Sequence, residues 1–375
     1  MNITMIMANP SMTGGDRVCA IYAKELIDRG HSVNVIAPRK KLLTLKQQIK
    51  RIINGDGWLS VTNQKQNHFD LLGVKVTYIE AKRPVTSEDL PNADVVIATW
   101  WETAEWVAKF ADSKGAKVYF IQHHEVFPWL AVERAKQTYN LPLHKITISN
   151  WLLNLMQDIY QDPVVSLVPN SVDLDVFFAP PREKQNNPTL GFLYSGAEFK
   201  GIDTALKVIE QVKMQLPELR VLCFGNAKPK KNTPLPNYFE FKYNPKQEDI
   251  RKVYEQCDVW LCCSRSEGFG LTVLEAMACR CPAVSTKCGG PEDIVKHGEN
   301  GFLCDVDDVE SLVDAVLRVL KSSESEWLAL STAALATATQ YSWKDATDLF
   351  EQALNQAIMR NRKLLISPSI AQDER

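Results

Sequence analysis

The 375-residue sequence has no surplus of positive charge: 43 Lys and Arg stand against 45 Asp and Glu. A nucleic-acid binder normally carries a basic excess where it meets phosphate, so this balance argues against one and makes any basic surface local. No apolar stretch reaches the about 18 residues that span a bilayer. The opening Met1-Asn-Ile-Thr-Met-Ile-Met lacks a basic n-region and runs into Asn9-Pro10, so it reads as a first strand rather than a leader. The expected location is cytoplasmic, or peripheral on the cytoplasmic face of a membrane. The nine cysteines show no paired C-x-x-C spacing and lie mostly in apolar runs such as Cys262-Cys263. That usage suggests buried thiols in a reducing compartment and speaks against a zinc site. No G-x-G-x-x-G follows the first strand, which excludes a Rossmann dehydrogenase. Internal repeats and low-complexity tracts are absent as well.

What is present is a soluble globular composition, 45% apolar and 23% charged, in a chain too long for one ordinary core. Strand-like runs alternate with amphipathic helices, the pattern of a parallel sheet covered on both sides. One set runs 1–8, 32–37, 74–79, 94–98, 117–122 and 145–149; a second runs 189–194, 220–224, 258–263 and 282–285. The prolines and polar residues of 171–188 mark a linker between them. The expected architecture is α/β, with an N-terminal Rossmann-like domain over 1–170 and a C-terminal one over 189–340 facing it across a cleft. A closing segment, 341–375, holds a helix.

The most informative run is Ser264-Arg-Ser-Glu-Gly-Phe-Gly-Leu-Thr-Val-Leu-Glu-Ala-Met-Ala278. It follows the apolar strand 258–263 and places Glu267 and a Gly-rich turn just before an apolar helix. Gly268 and Gly270 permit close ligand approach, and the first N–H groups of a helix over Leu271 to Ala278 have no intrahelical partner, so they suit a diphosphate. At about 1.5 Å rise per residue, Glu275 lies within two turns of that N-terminus, in reach of vicinal ribose hydroxyls. Glu267 sits outside the helix, nearer a sugar. Taken alone, the pair is only a helix start flanked by solvated carboxylates.

The following residues, Cys279-Arg-Cys-Pro-Ala-Val-Ser-Thr-Lys-Cys-Gly-Gly-Pro-Glu-Asp-Ile-Val-Lys-His-Gly-Glu-Asn-Gly-Phe-Leu303, add a second strand, a Gly-Gly turn and a Gly-Glu-Asn-Gly turn. The stretch Ser264 to Leu303 resembles the donor half of retaining GT-B glycosyltransferases of the large nucleotide-sugar family (family 4 type, group 1), with its Glu-x7-Glu motif at Glu267 and Glu275. The resemblance implies a GT-B fold whose last helix crosses back to the first domain. It also implies transfer from a nucleotide diphosphate sugar to a glycan or lipid-linked acceptor, with neither cofactor nor metal. Under it, Glu267 orients the sugar, Glu275 holds the ribose, and Gly268, Phe269, Gly270, Leu271 and Thr272 line the diphosphate. In Ser195-Gly-Ala-Glu-Phe-Lys-Gly-Ile-Asp203, Lys200 is implied to face the diphosphate as a point charge on the leaving group. Ala197 stands where the family usually carries an arginine, so either Lys200 acts alone or Arg265 supplies the second positive charge.

Three motifs of the first half fit the same resemblance. Gly14 and Gly15 open the first helix, where the family's Gly-Gly loop faces donor diphosphate and acceptor; alone they are a tight turn. Asn170-Ser-Val-Asp-Leu-Asp-Val-Phe177 resembles the interdomain signature, with Ser171 replacing the usual glycine. Tyr119-Phe-Ile-Gln-His-His-Glu-Val-Phe-Pro128 puts His123, His124 and Glu125 at a strand's carboxyl end, a place that lines the cleft in doubly wound folds. His123 best matches the family histidine that touches the donor sugar, although a His–Glu pair capping a strand is otherwise a hydrogen-bonded loop. With Thr99-Trp-Trp-Glu-Thr-Ala104, this segment resembles a subset that includes rhamnan-type polysaccharide transferases. That implies hexosyl or deoxyhexosyl transfer in cell-surface polysaccharide or glycolipid synthesis. Trp100 and Trp101 either stack on acceptor sugars or belong to the core.

Residues 39–53 form the only strongly basic amphipathic stretch, with Leu42, Leu45, Ile49, Ile52 and Ile53 near helical spacing among Lys40, Lys41, Lys46, Lys50 and Arg51. It either lies on an anionic membrane or covers the first domain. Two other functions fit the motifs: a GT-B sugar-nucleotide epimerase, which needs no acceptor, and a non-catalytic nucleotide-sugar binding module, which releases no nucleoside diphosphate.

Overall fold

The computed structural model describes residues 1–38, 45–53, 66–80, 83–226, 228–229 and 235–370. Two compact units emerge: the first comprises 1–147, 155–168 and 347–375, the second 148–154 and 169–346. In the first, seven parallel strands, β1 (Asn2–Ile6), β2 (Ser32–Ala37), β3 (Val76–Tyr78), β4 (Val95–Ala98), β5 (Ala116–Ile121), β6 (His144–Thr147) and β7 (Val165–Leu167), stand in the order β3-β2-β1-β4-β5-β6-β7. In the second, β8 (Thr189–Leu193), β9 (Arg220–Gly225), β10 (Phe239–Tyr243), β11 (Val259–Cys262), β12 (Ala283–Thr286) and β13 (Gly301–Cys304) stand in the order β10-β9-β8-β11-β12-β13, again all parallel. The central strands are buried on both faces, as the unbroken apolar runs Val95–Ala98 and Val259–Cys262 require.

Each sheet therefore follows the doubly wound 3-2-1-4-5-6 order, which reverses between β1 and β4 in one unit and between β8 and β11 in the other. In such sheets ligands gather outside the carboxyl ends of the strands at the reversal. Strands β7, β10 and β13 were not expected from the sequence. All three lie at or beside a sheet edge or follow a turn; β10, Phe-Glu-Phe-Lys-Tyr, is half-exposed and charged, and β7 is only three residues long. At β7 and β10 little is buried, so the hydrophobic signal is weak, whereas β13 is largely buried but only four residues long and opens on a glycine.

The expected linker packs onto the second unit: Lys184 Nζ donates to the carbonyls of Leu320 and Ser322, and the buried Asp258 accepts from the backbone N–H of Gln185 and Thr189. Most of the last helix, Trp343–Ile370, belongs to the first unit. Phe350 stacks on Tyr22 with ring centroids 4.3 Å apart and meets Phe120 edge-on, while Glu351 pairs with Arg29 and His31. All nine cysteines are buried free thiols.

Candidate active site

The carboxyl ends of β8 and β11 carry two turns that meet. After β8 the chain makes a 3-10 turn, Glu198–Lys200, and Gly201 then adopts a left-handed φ of 60° before helix Ile202–Gln215. A Cβ on Gly201 would stand 1.9 Å from the carbonyl oxygen of Cys263, so only glycine lets the two turns touch. After β11, residues 263–269 lead to Gly270 (φ 96°), which caps helix Leu271–Ala278. The Glu267 N–H donates to the Cys288 carbonyl at 2.8 Å, and the Glu267 carbonyl accepts from Gly290 N–H at 2.9 Å. Glu267 is thus laced into the turn after β12.

Here the side chains converge. Lys200 Nζ donates to Glu267 Oε1 at 2.5 Å, and Ser264 Oγ donates to the same oxygen at 2.7 Å. The lysine side chain keeps 23% of its exposure and the glutamate 12%. Burial acts to lower the Lys200 ammonium, but the adjacent Glu267 outweighs it and holds the group above its ordinary value, so it stays charged across the neutral range. Ser264 was not singled out from the sequence, although its place three residues before Glu267 was a usable signal.

Glu275, the fifth residue of helix Leu271–Ala278, is only 3% exposed, and its Oε2 accepts from the Tyr254 hydroxyl at 2.9 Å. Phe269 buries its ring edge-on to Tyr341, so the turn offers a ligand backbone and not this side chain. Arg265, one of the two alternatives for the positive charge on the diphosphate, is engaged by other groups in this structure. Its guanidinium donates to Asp307 and Asp203, each at 2.8 Å, and to the Glu198 carbonyl at 2.8 Å, while its N–H donates to the Phe199 carbonyl at 2.7 Å. Two carboxylates pair with it, and these contacts brace the turn that bears Lys200.

In the first unit, helix Gly14–Asp28 begins at the expected glycines, and the Thr13 side chain caps it by accepting from Asp16 N–H. Gln122 Nε2 donates to the Gly15 carbonyl at 3.1 Å, which brings Gly15 beside the segment that carries His123 at the end of β5. His123 is half-buried and its Nδ1 bonds the His124 carbonyl at 3.0 Å. His124 turns to the Tyr160 hydroxyl, 2.8 Å from Nε2, among Tyr139 and Tyr160; burial pushes it down to about 4. Glu125 and Trp101 are corrected as acceptor contacts. Glu125 is buried, accepting from Trp101 N–H at 2.8 Å and from the Tyr119 hydroxyl, and burial raises its carboxyl well above the ordinary range. Trp101 is buried with Arg134 over its ring, while Trp100 is half-buried at the cap of helix Trp101–Ala108. A strand's carboxyl end points out of the sheet, but the next residue's side chain can turn back inward.

Comparison with known proteins decides the class of the second unit. The family model for glycosyl transferases group 1 matches residues 175–329, all within that unit. Residues 175–329 form a glycosyl transferases group 1 domain. This domain contains Lys200, Glu267 and Glu275. Among curated proteins, the chain is 38% identical over 79 residues to N-acetyl-alpha-D-glucosaminyl L-malate synthase of Bacillus anthracis, covering 21% of each. It is 30% identical over 155 residues to a sulfoquinovosyl transferase of Arabidopsis thaliana, covering 39% of this chain and 30% of that one. The matches thus span well under half the length of these relatives. Among solved structures, Anabaena HepE with bound UDP and glucose superposes at a TM-score of 0.70 and 16% identity, over 95% of this chain and 100% of that one. The chain has the GT-B fold.

Proposed function

We propose that the chain transfers a sugar from a nucleotide diphosphate sugar to a hydroxyl of a glycan or lipid-linked acceptor, retaining anomeric configuration and needing no metal ion. The observation that carries this reading is the Lys200–Glu267–Ser264 cluster beside the N-terminus of helix Leu271–Ala278, inside the group 1 domain. The helix N–H groups and the Lys200 ammonium stabilise the diphosphate as negative charge grows on the departing oxygen. Once the diphosphate becomes the partner of Lys200, Glu267 is released to hold sugar hydroxyls, and Glu275 takes the ribose. The acceptor oxygen bonds to the anomeric carbon on the face that the phosphate oxygen leaves, and that departing oxygen takes the hydroxyl proton. The UDP bound to Anabaena HepE supports a uridine nucleotide as the first donor to try.

A lipid-linked acceptor in a cell-surface pathway fits the helix Leu45–Ile53. Leu45, Ile49, Ile52 and Ile53 expose 71%, 53%, 51% and 77% of their surface, so this face does not cover the domain. No described helix is long and apolar enough to cross a membrane. Residues 39–44 of the basic stretch lie outside the described residues. An apolar face beside Lys46 favours shallow docking on anionic lipid, where each basic residue adds about 1 kcal/mol.

The test is release of nucleoside diphosphate from UDP-, GDP- and ADP-sugars, with and without glycan and lipid-linked acceptors. Acceptor-dependent release that Glu267→Ala abolishes, at unchanged melting temperature, is the expected result. Full turnover by Glu267→Ala would sink the assignment, and donor conversion without acceptor would indicate an epimerase.

A further inference from the structure

Tyr254 ends helix Gln247–Tyr254, a segment whose sequence gives no hint of a site. Its ring is fully buried, 4.6 Å from Trp260, 5.7 Å from Phe224 and 6.0 Å from Phe177, in each case at a steep angle. Three aromatic neighbours hold the ring, and the phenol hydroxyl donates to Glu275 Oε2 at 2.9 Å. A carboxylate almost wholly out of water needs donors, and a glutamate side chain has rotamers to lose when a ligand fixes it. A rigid phenol hydroxyl meets both needs. It occupies one acceptor position of a carboxylate, a group able to accept several hydrogen bonds.

We infer that Tyr254 is a positioning residue for ribose recognition: held by Trp260, Phe224 and Phe177, it fixes Glu275 in the rotamer that accepts the 2′ and 3′ hydroxyls of the donor nucleoside. The inference rests on the proposed ribose role of Glu275. Tyr254 touches no substrate and acts only through that carboxylate, so its removal affects ribose binding selectively. Diphosphate binding depends on Lys200 and the helix N-terminus and is left intact.

The test compares two ligands on one protein sample: whichever of UDP, GDP and ADP the wild type binds most tightly by calorimetry, and the 2′,3′-dideoxy form of that same nucleotide. The ratio of the two affinities reports ribose recognition and is insensitive to the fraction of protein that is folded. Tyr254→Phe, which keeps the ring and its packing, is expected to lower the ratio about three- to tenfold, the usual worth of one hydrogen bond. Affinity for the dideoxy nucleotide stays unchanged, and donor KM rises at constant kcat. Glu275→Ala lowers the ratio further, and adding Tyr254→Phe to it has no additional effect. A Tyr254→Phe protein with the wild-type ratio, or with both affinities reduced equally, overturns the positioning role while the donor site stands. If Glu275→Ala itself keeps the wild-type ratio, or if the wild type binds none of the three diphosphates, the ribose reading fails and this inference falls with it.

Discussion

The two sheets share one strand order, yet the carboxyl ends of their strands are furnished differently. Around β8 and β11, an ammonium, a carboxylate and a hydroxyl meet within hydrogen-bond reach and keep partial exposure. Around β4 and β5, the comparable groups turn inward: Glu125 supports the N-terminus of helix Trp101–Ala108, Trp101 is core, and His124 joins a cluster of tyrosines. Topology says where a ligand sits. Whether a charge is available to it depends on how each side chain is buried.

Lys200→Ala breaks the contrast most severely if the contrast is right. Removing a preorganised charge from a developing anion costs about 10²–10³ in kcat, so turnover should fall by that order while donor-independent stability holds. A variant retaining a third of the wild-type rate places the decisive charge elsewhere. Next in size is Glu125, where the expected loss is in stability. Glu125→Ala leaves the buried Trp101 N–H without its acceptor and costs about 1–3 kcal/mol in thermal unfolding, with nucleotide affinity unchanged. Glu125→Gln sharpens this. A carboxyl whose folded pKa is raised contributes stability below its unfolded value of about 4.5 and loses it as pH climbs through the folded value. The amide variant should therefore gain on the wild type as pH rises.

The turn and helix that carry Glu267 and Glu275 were legible because their pattern is written in contiguous sequence. A strand, a turn with Gly268 and Gly270, and an apolar helix start at Leu271 follow one another without a gap. The first half was legible as strands and helices but not as a site: at Trp101 and Glu125 the sequence shows a strand's end without showing which way the next side chains face. Tyr254 and the true partners of Arg265 were invisible, because each role arises from contacts between segments far apart in sequence. Asp203 and Asp307, which pair with Arg265, lie on opposite sides of it, 62 and 42 residues away. Edge strands such as β10 escaped notice because half-exposed positions need not be apolar.

Arg265→Ala tests whether bracing is its whole role. The guanidinium ties the turn bearing Lys200 to Asp203 and Asp307, so its loss should loosen that turn and raise donor KM about three- to tenfold, less than the loss of Lys200 itself. If Arg265→Ala matches Lys200→Ala in kcat, the arginine meets the diphosphate after all and the reading of the site must change.

The smallest effect separates the units by acid. His68, His124 and His144, all in the first unit, are each pushed down to about 4, chiefly by burial. A depressed histidine contributes stability that is complete above its unfolded value of about 6.5 and is lost as pH falls from there toward 4, because the unfolded chain takes up protons that the folded one refuses. Glu125 and Asp16, whose carboxyls burial raises, pull the other way in the same unit, but they are two against three. In the second unit the raised carboxyls of Asp258 and Asp293 favour the fold as acid is added, and Asp203 and Asp307, lowered by Arg265, weaken it only below about 4. Hydrogen exchange followed from pH 7 to pH 4.5 should therefore show amides of β5 and β6 losing protection before those of β8 and β11. Equal loss in both sheets would mean that the three histidines find protons within the fold, and that the first unit is less closed than its buried side chains indicate.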